Sequence, residues 1–218
     1  MEVMEFLKES IRKNEIEAKQ FLMEEKRNRI MKLSNNSGLP KLFKTKSFDN
    51  FEEKNNHKAL KIAKDFVDDF PNTKGVLLIG DVGLGKTHLA AAIANELNNK
   101  LHSTYFGNAV DIIAFCKSTY DRTSEITEAE AINMMTDKID LLIIDDLGKE
   151  YSTENTMTLF YMIINRLYEN NKPVVITTNF SAKDLCWKLG ERGYAIISRI
   201  TAMCTPVELK GLDWRINK

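Results

Sequence analysis

The chain has 218 residues, 43% apolar and 28% charged, enough for one sizeable α/β core with an appendage. Lys plus Arg equal Asp plus Glu at 31 each, so net charge gives no case for nucleic-acid binding and any basic surface must be local. No apolar run approaches 18 residues and the first residues are charged rather than signal-like, which predicts a cytoplasmic protein with no membrane association.

Residues 1–33 lack Gly and Pro, and Val3, Leu7, Ile11, Ala18 and Leu22 recur at helical spacing. The spacing predicts one long amphipathic helix, either solvated or docked on a partner. Gly38 and Pro40 then break the chain. Residues 1–45 are therefore read as a helical extension and linker, a possible partner-docking segment, and 46–218 as the main domain. Phe43, Phe48 and Phe51 are expected to pin the irregular stretch 41–51 onto that domain, and residues 54–70 to form a helix.

Gly75-Val76-Leu77-Leu78-Ile79 is an unbroken, partly β-branched run, as a buried parallel strand should be. Further strands are predicted at 102–106, 139–146, 173–178 and 203–209, the last at an edge or strand end because it contains Pro206. Helices are predicted at 108–120, in the charged segment to Lys138, and at 153–170, 182–189 and 193–201. Strands alternating with helices predict a five-stranded parallel sheet between helical layers. Cys116, Cys186 and Cys204 form no C-x-x-C pair, so neither a zinc site nor a disulfide framework is indicated, and the scattered His57, His88 and His102 read as structural or solvent-facing.

Between the first strand and the helix that follows lies Gly80-Asp81-Val82-Gly83-Leu84-Gly85-Lys86-Thr87, which fits G-x-x-x-x-G-K-[ST] in the strand–loop–helix context the motif requires. Its glycines let the backbone approach an anion closely. The loop N–H groups and the helix N-terminus aim partial positive charge at phosphate oxygens. Lys86 adds a full charge at the β- and γ-phosphates, the Thr87 hydroxyl can ligate Mg²⁺, and His88 adjoins the loop. The chain is expected to bind ATP with Mg²⁺.

The run Leu141-Leu142-Ile143-Ile144 ends in Asp145 and Asp146. Asp145 is the candidate that holds Mg²⁺ through water, and Asp146 the candidate general base for the attacking water. Asn179, after Val174–Thr178, sits where it can orient that water. Arg192, Arg199 and Arg215 are candidate cations for transition-state charge, and spacing alone does not choose among them. Asn171-Lys172-Pro173-Val174 lacks the aspartate of an N-K-x-D guanine reader, and the paired acids suit water better than a small-molecule acceptor, which argues against a GTPase or small-molecule kinase.

These residues carry a resemblance. With Ser37-Gly38-Leu39-Pro40, Phe48-Asp49-Asn50-Phe51, Thr177-Thr178-Asn179, Ile197-Ser198-Arg199-Ile200 and Gly211-Leu212-Asp213-Trp214-Arg215, the chain resembles the AAA+ ATPases of the bacterial replicative helicase loaders, the DnaC/DnaI group, and their relatives the IstB transposition helpers. The resemblance implies an AAA+ domain in which Asn179 is the water-positioning sensor, Arg199 an arginine finger acting across a subunit interface and Arg215 the second sensor. It implies an ATPase that is slow, with Asp146 where relatives often have Glu, and stimulated by DNA or oligomerisation. The insert 108–138 matches the initiator-type helices that face single-stranded DNA, where Phe115, Lys117 and Tyr120 are either stacking and phosphate-contacting types or ordinary helix residues with Phe115 in the core. The implied function is loading of a DnaB-type replicative ring helicase onto single-stranded DNA, with ATP-dependent self-association. The alternatives are a transposition helper that binds duplex DNA and activates a transposase, or an ATP-sensing adaptor without turnover.

Overall fold

Five strands, β1 (Gly75–Ile79), β2 (Thr104–Asn108), β3 (Leu141–Leu147), β4 (Val174–Thr178) and β5 (Cys204–Glu208), pair in parallel in the order β2-β3-β4-β1-β5. The structure is a computed structural model and describes residues 12, 16, 18–28, 38–52, 56–118, 126–148 and 153–213. Before β1 lies α1 (His57–Asp69), and between the strands run α2 (Lys86–Asn99), α3 (Ala109–Ser118), α4 (Glu128–Asn133), α5 (Glu154–Glu169), α6 (Ala182–Lys188) and α7 (Gly193–Met203).

Alternate side chains of each central strand enter opposite layers, as the two-residue period of a strand requires. In β3, Leu142 and Ile144 join the cluster that holds Ile112, Phe160 and Ile196 from α3, α5 and α7. Leu141 and Ile143 join the other, with Phe66 from α1 and Leu89 and Ile93 from α2. Both faces are apolar, so the strands read as continuous runs rather than alternations. The five-stranded parallel sheet between helices was the expected architecture.

Local signals set the helix starts. Thr127 and Glu130 form a reciprocal capping box on α4, Thr153 accepts from the N–H of Thr156 at the head of α5, and Ser181 accepts from that of Asp184 at the head of α6. Pro206 lies opposite Leu77 on β5, a strand that pairs only with β1, so its missing N–H costs no ladder bond on the free side.

Two details differ from the sequence expectation. β2 starts two residues later than expected, because Leu101 takes a positive φ of 66° and the His102 N–H still donates to Leu97, closing the end of α2. Met134–Lys138 continues α4 as a π-helical turn, a local widening that propensities do not encode. The expected N-terminal helix is helical at residues 18–28, where Phe21, Leu22 and Met23 are exposed. Val3, Leu7 and Ile11 lie outside the described residues.

Candidate functional site

The carboxyl ends of β1, β3 and β4 open into one cavity of about 560 Å³. The sheet order makes this unavoidable, since β4 lies directly between β3 and β1. From β1 comes the glycine loop, from β3 the two acids and from β4 Asn179.

Gly85 has φ 89° and caps α2, a left-handed conformation that only glycine adopts freely. A Cβ there would meet the Phe51 ring at 2.7 Å, so the loop backbone is packed as well as bent. A Cβ on Gly83 would collide with the Asp213 carboxylate. Val82, Gly83, Gly85, Lys86, Thr87 and His88 line the cavity. Gly80 donates its N–H to Thr178 at 3.2 Å, tying the loop to β4, and Leu84 is buried beneath the loop. Lys86 is 5% exposed, and its Nζ donates to the Asp81 carbonyl at 2.7 Å across the loop. The first N–H groups of α2 and the Lys86 ammonium thus converge on one anion-sized space.

Asp145 is 8% exposed and accepts from two hydroxyls, Thr87 at 3.0 Å and Thr177 at 2.6 Å. Asp146 lies beyond it in the left-handed region at φ 57°, at a register shift between β3 and β4. Its N–H donates to Thr177, and its side chain lines the cavity. The bulge separates the adjacent acids: one is buried against Thr87 and the other faces the cavity. Asn179 also lines the cavity, and its Oδ1 is buried without a hydrogen-bond partner among the described residues. An orphaned buried amide oxygen facing a cavity is an acceptor prepared for a bound group.

These residues fit a Mg²⁺–nucleotide. Among the described residues no cluster of three or more His, Cys, Asp or Glu side chains could hold a metal. A cation here would instead take the Thr87 hydroxyl, water held by Asp145 and phosphate oxygens, an oxygen set suited to Mg²⁺.

Another wall of the cavity comes from the stretch that was expected only to be pinned onto the domain. Leu42, Phe43, Lys46, Asn50, Phe51 and Glu52 line it, all from the stretch before α1. Asn95 of α2 donates to the Phe43 and Lys46 carbonyls at 2.9 and 2.8 Å, and His88 Nε2 donates to the Ser47 carbonyl at 3.0 Å. Burial holds His88 below its ordinary pKa, so the ring is neutral and keeps one donor for that carbonyl. The pins expected from the phenylalanines are present, with Phe51 buried and Phe43 and Phe48 packed partly buried against the same core cluster, and Phe43 and Phe51 also line the cavity. Three phenylalanines in an irregular stretch were the available signal.

The remaining candidates fall elsewhere. Arg199 is half-buried on α7 and does not line the cavity. Phe115 packs partly buried against the core, and Lys117 Nζ donates to the Thr156 hydroxyl at 2.7 Å. Both are therefore turned toward α5 and the core rather than displayed as a free surface. Tyr120 and Arg215 lie outside the described residues.

The chain matches the family described as IstB-like ATP binding protein over residues 9–218. It belongs to that family. The replicative helicase loader DnaC of Escherichia coli K12 is 32% identical over 174 residues, covering 77% of this chain and 70% of the relative. Among solved structures, DnaI superposes with a TM-score of 0.68 at 27% identity, covering 81% of this chain and 94% of that one. The DnaC helicase loader superposes with a TM-score of 0.67 at 28% identity, covering 78% and 100%. The family, the sheet order and the loop together make this an AAA+ ATP-binding domain. Among the described residues no helix is long and apolar enough to cross a membrane.

Proposed function

We propose that this chain is a Mg²⁺-dependent ATPase that loads a DnaB-type replicative ring helicase onto single-stranded DNA in the cytoplasm. The observation that carries the hydrolytic part is the convergence of Lys86, Thr87, Asp145, Asp146 and Asn179 from three adjacent strand ends on one cavity. Asp145 organises the cation with Thr87, Asp146 accepts the proton of the attacking water, and Asn179 Oδ1 orients that water. The loading part is supported by the likeness to a relative that is itself a replicative helicase loader. In this reading residues 1–45 dock the helicase and 46–218 form the ATPase domain. Arg199 serves a neighbouring copy, so self-association depends on ATP, and Arg215 approaches the nucleotide of its own copy.

The test is co-sedimentation with the replicative helicase hexamer, with and without ATP, beside the Lys86→Ala variant. Capture that requires ATP and Lys86 supports the loader. The membership of an IstB-like family favours one second reading, a transposition helper. ATP-dependent binding to duplex DNA with no helicase capture would replace the first reading with that one.

A further inference from the structure

Arg199 is held in a way that fixes its direction and leaves its charge uncompensated. Its Nε donates to Asn165 Oδ1 at 2.7 Å, one terminal nitrogen to the Tyr161 hydroxyl at 3.1 Å, and the other to the Ala195 carbonyl at 3.1 Å. The guanidinium lies over the Tyr161 ring, 4.9 Å from its centroid, with the Tyr168 ring at 5.8 Å. Tyr161, Asn165 and Tyr168 stand four and seven positions apart on α5, so they share one helix face.

Every one of these acceptors is neutral. An arginine that only ties α7 to α5 could be held by a carboxylate, whose forked, bidentate pairing with a guanidinium adds energy and geometric specificity that single neutral acceptors do not. Among the described residues Arg199 makes no ion pair, in contrast to Arg166 on the same α5, which sits 3.1 Å from Asp137. Arg192 adds to the contrast. Its guanidinium lies 5.6 Å from the same Tyr161 ring, so two like charges gather around one phenol. Each contact is favourable by itself as a cation–π pair, and together they concentrate positive charge that an approaching anion would meet. Three of the five N–H groups of Arg199 are engaged, and the others remain to receive it.

We propose that Tyr161 and Asn165 are positioning residues for Arg199, a neutral cradle that aims it at the γ-phosphate of ATP bound to a second copy of this chain. The inference rests on the trans-acting reading of Arg199 given above. Neutral holding is what the role requires, because a carboxylate at this position would cancel the field that the transition state uses. Tyr161 does two jobs, offering its ring face to the cation and its hydroxyl to one N–H. Asn165 offers only its carbonyl oxygen, as its amide N–H groups would repel the guanidinium.

The test is complementation between two full-length variants in the presence of single-stranded DNA. Lys86→Ala lacks its own nucleotide but retains the finger, and Arg199→Ala binds ATP but lacks the finger. Mixed, they recover phosphate release. Asn165→Leu, and separately Tyr161→Phe, is then placed in one partner or the other. We expect kcat of the mixture to fall about tenfold more when the substitution sits in the finger-donating partner than in the ATP-binding one, within the range an arginine finger controls. KM for ATP should stay unchanged. Equal losses from either placement, or none, would overturn the cradle while leaving the finger intact. Normal turnover by Arg199→Ala alone, or no recovery on mixing, would overturn the trans reading and the cradle together. Tyr161→Phe keeps the ring and the packing, so a fold defect in Asn165→Leu does not decide the matter.

Discussion

The Thr87 hydroxyl straddles the Asp145 carboxylate, 3.0 Å from one oxygen and 3.2 Å from the other. One residue lies in the first turn of a helix and the other near the end of a strand, and in the proposed function their contact marks the place of the Mg²⁺ that accompanies ATP. Asp145→Asn keeps the shape and removes the charge. It is expected to leave ATP affinity nearly unchanged and to lower Mg²⁺-dependent phosphate release about 10–100-fold, the usual cost of losing an outer-shell partner. Titrating Mg²⁺ at fixed ATP checks this. An unchanged rate at low Mg²⁺ would remove Asp145 from the cation site.

Asp146 separates chemistry from backbone geometry. Asparagine also tolerates the left-handed region, so Asp146→Asn should retain the wild-type melting temperature while single-turnover hydrolysis falls by about 10²-fold or more. Asp146→Val should lose hydrolysis and also about 1–3 kcal/mol of stability, because a β-branched residue is strained at φ 57°. Calorimetry on both variants distinguishes the two effects.

Asn95 ties the stretch before α1 to the loop helix through two backbone carbonyls. Asn95→Ala is expected to cost about 1–3 kcal/mol and to open residues 38–52 to limited proteolysis. ATP should restore part of that protection, since Phe43 and Phe51 line the cavity it fills. Proteolysis with and without nucleotide is the measurement.

His88 sets a pH dependence. Burial pushes its pKa below 6.5 and nearby Lys46 adds to that, while the bond to the Ser47 carbonyl opposes it. Well above pH 6.5 the ring is neutral both folded and unfolded, so it contributes no slope there. Below 6.5 the unfolded chain takes up a proton that the folded site resists, and stability falls until the folded pKa is passed. His88→Gln, which keeps a donor for Ser47, should therefore flatten the decline in melting temperature between about pH 7 and pH 5. Parallel declines in the two proteins would show that other groups dominate.

The sheet was legible because a parallel strand buried on both faces is a continuous apolar run, and Val76–Ile79, Leu141–Ile144 and Val174–Ile176 are such runs. The loop was legible because its glycines, lysine and threonine act through local backbone. What escaped depends on contacts distant in sequence or on backbone irregularity. Tyr161 and Asn165 read only as helix positions until α7 lays Arg199 across them. The bulge that parts Asp145 from Asp146 arises from pairing with β4, which neither acid encodes. Phe115 packs against the core, one of the two readings the sequence offered for it, and how α3 lies on the sheet chooses between them.

The strand order has a mechanical consequence. Loop, acids and Asn179 ride on β1, β3 and β4, neighbours spaced about 4.8 Å apart and locked by parallel ladders. A ladder cannot stretch to open the site without losing hydrogen bonds along its length. The pieces that grip ATP are thus a rigid anvil, and whatever motion nucleotide exchange drives must be taken up by the parts resting on it: the linker latched by Asn95 and His88 on one side, and the α7 layer carrying Arg199 on the other.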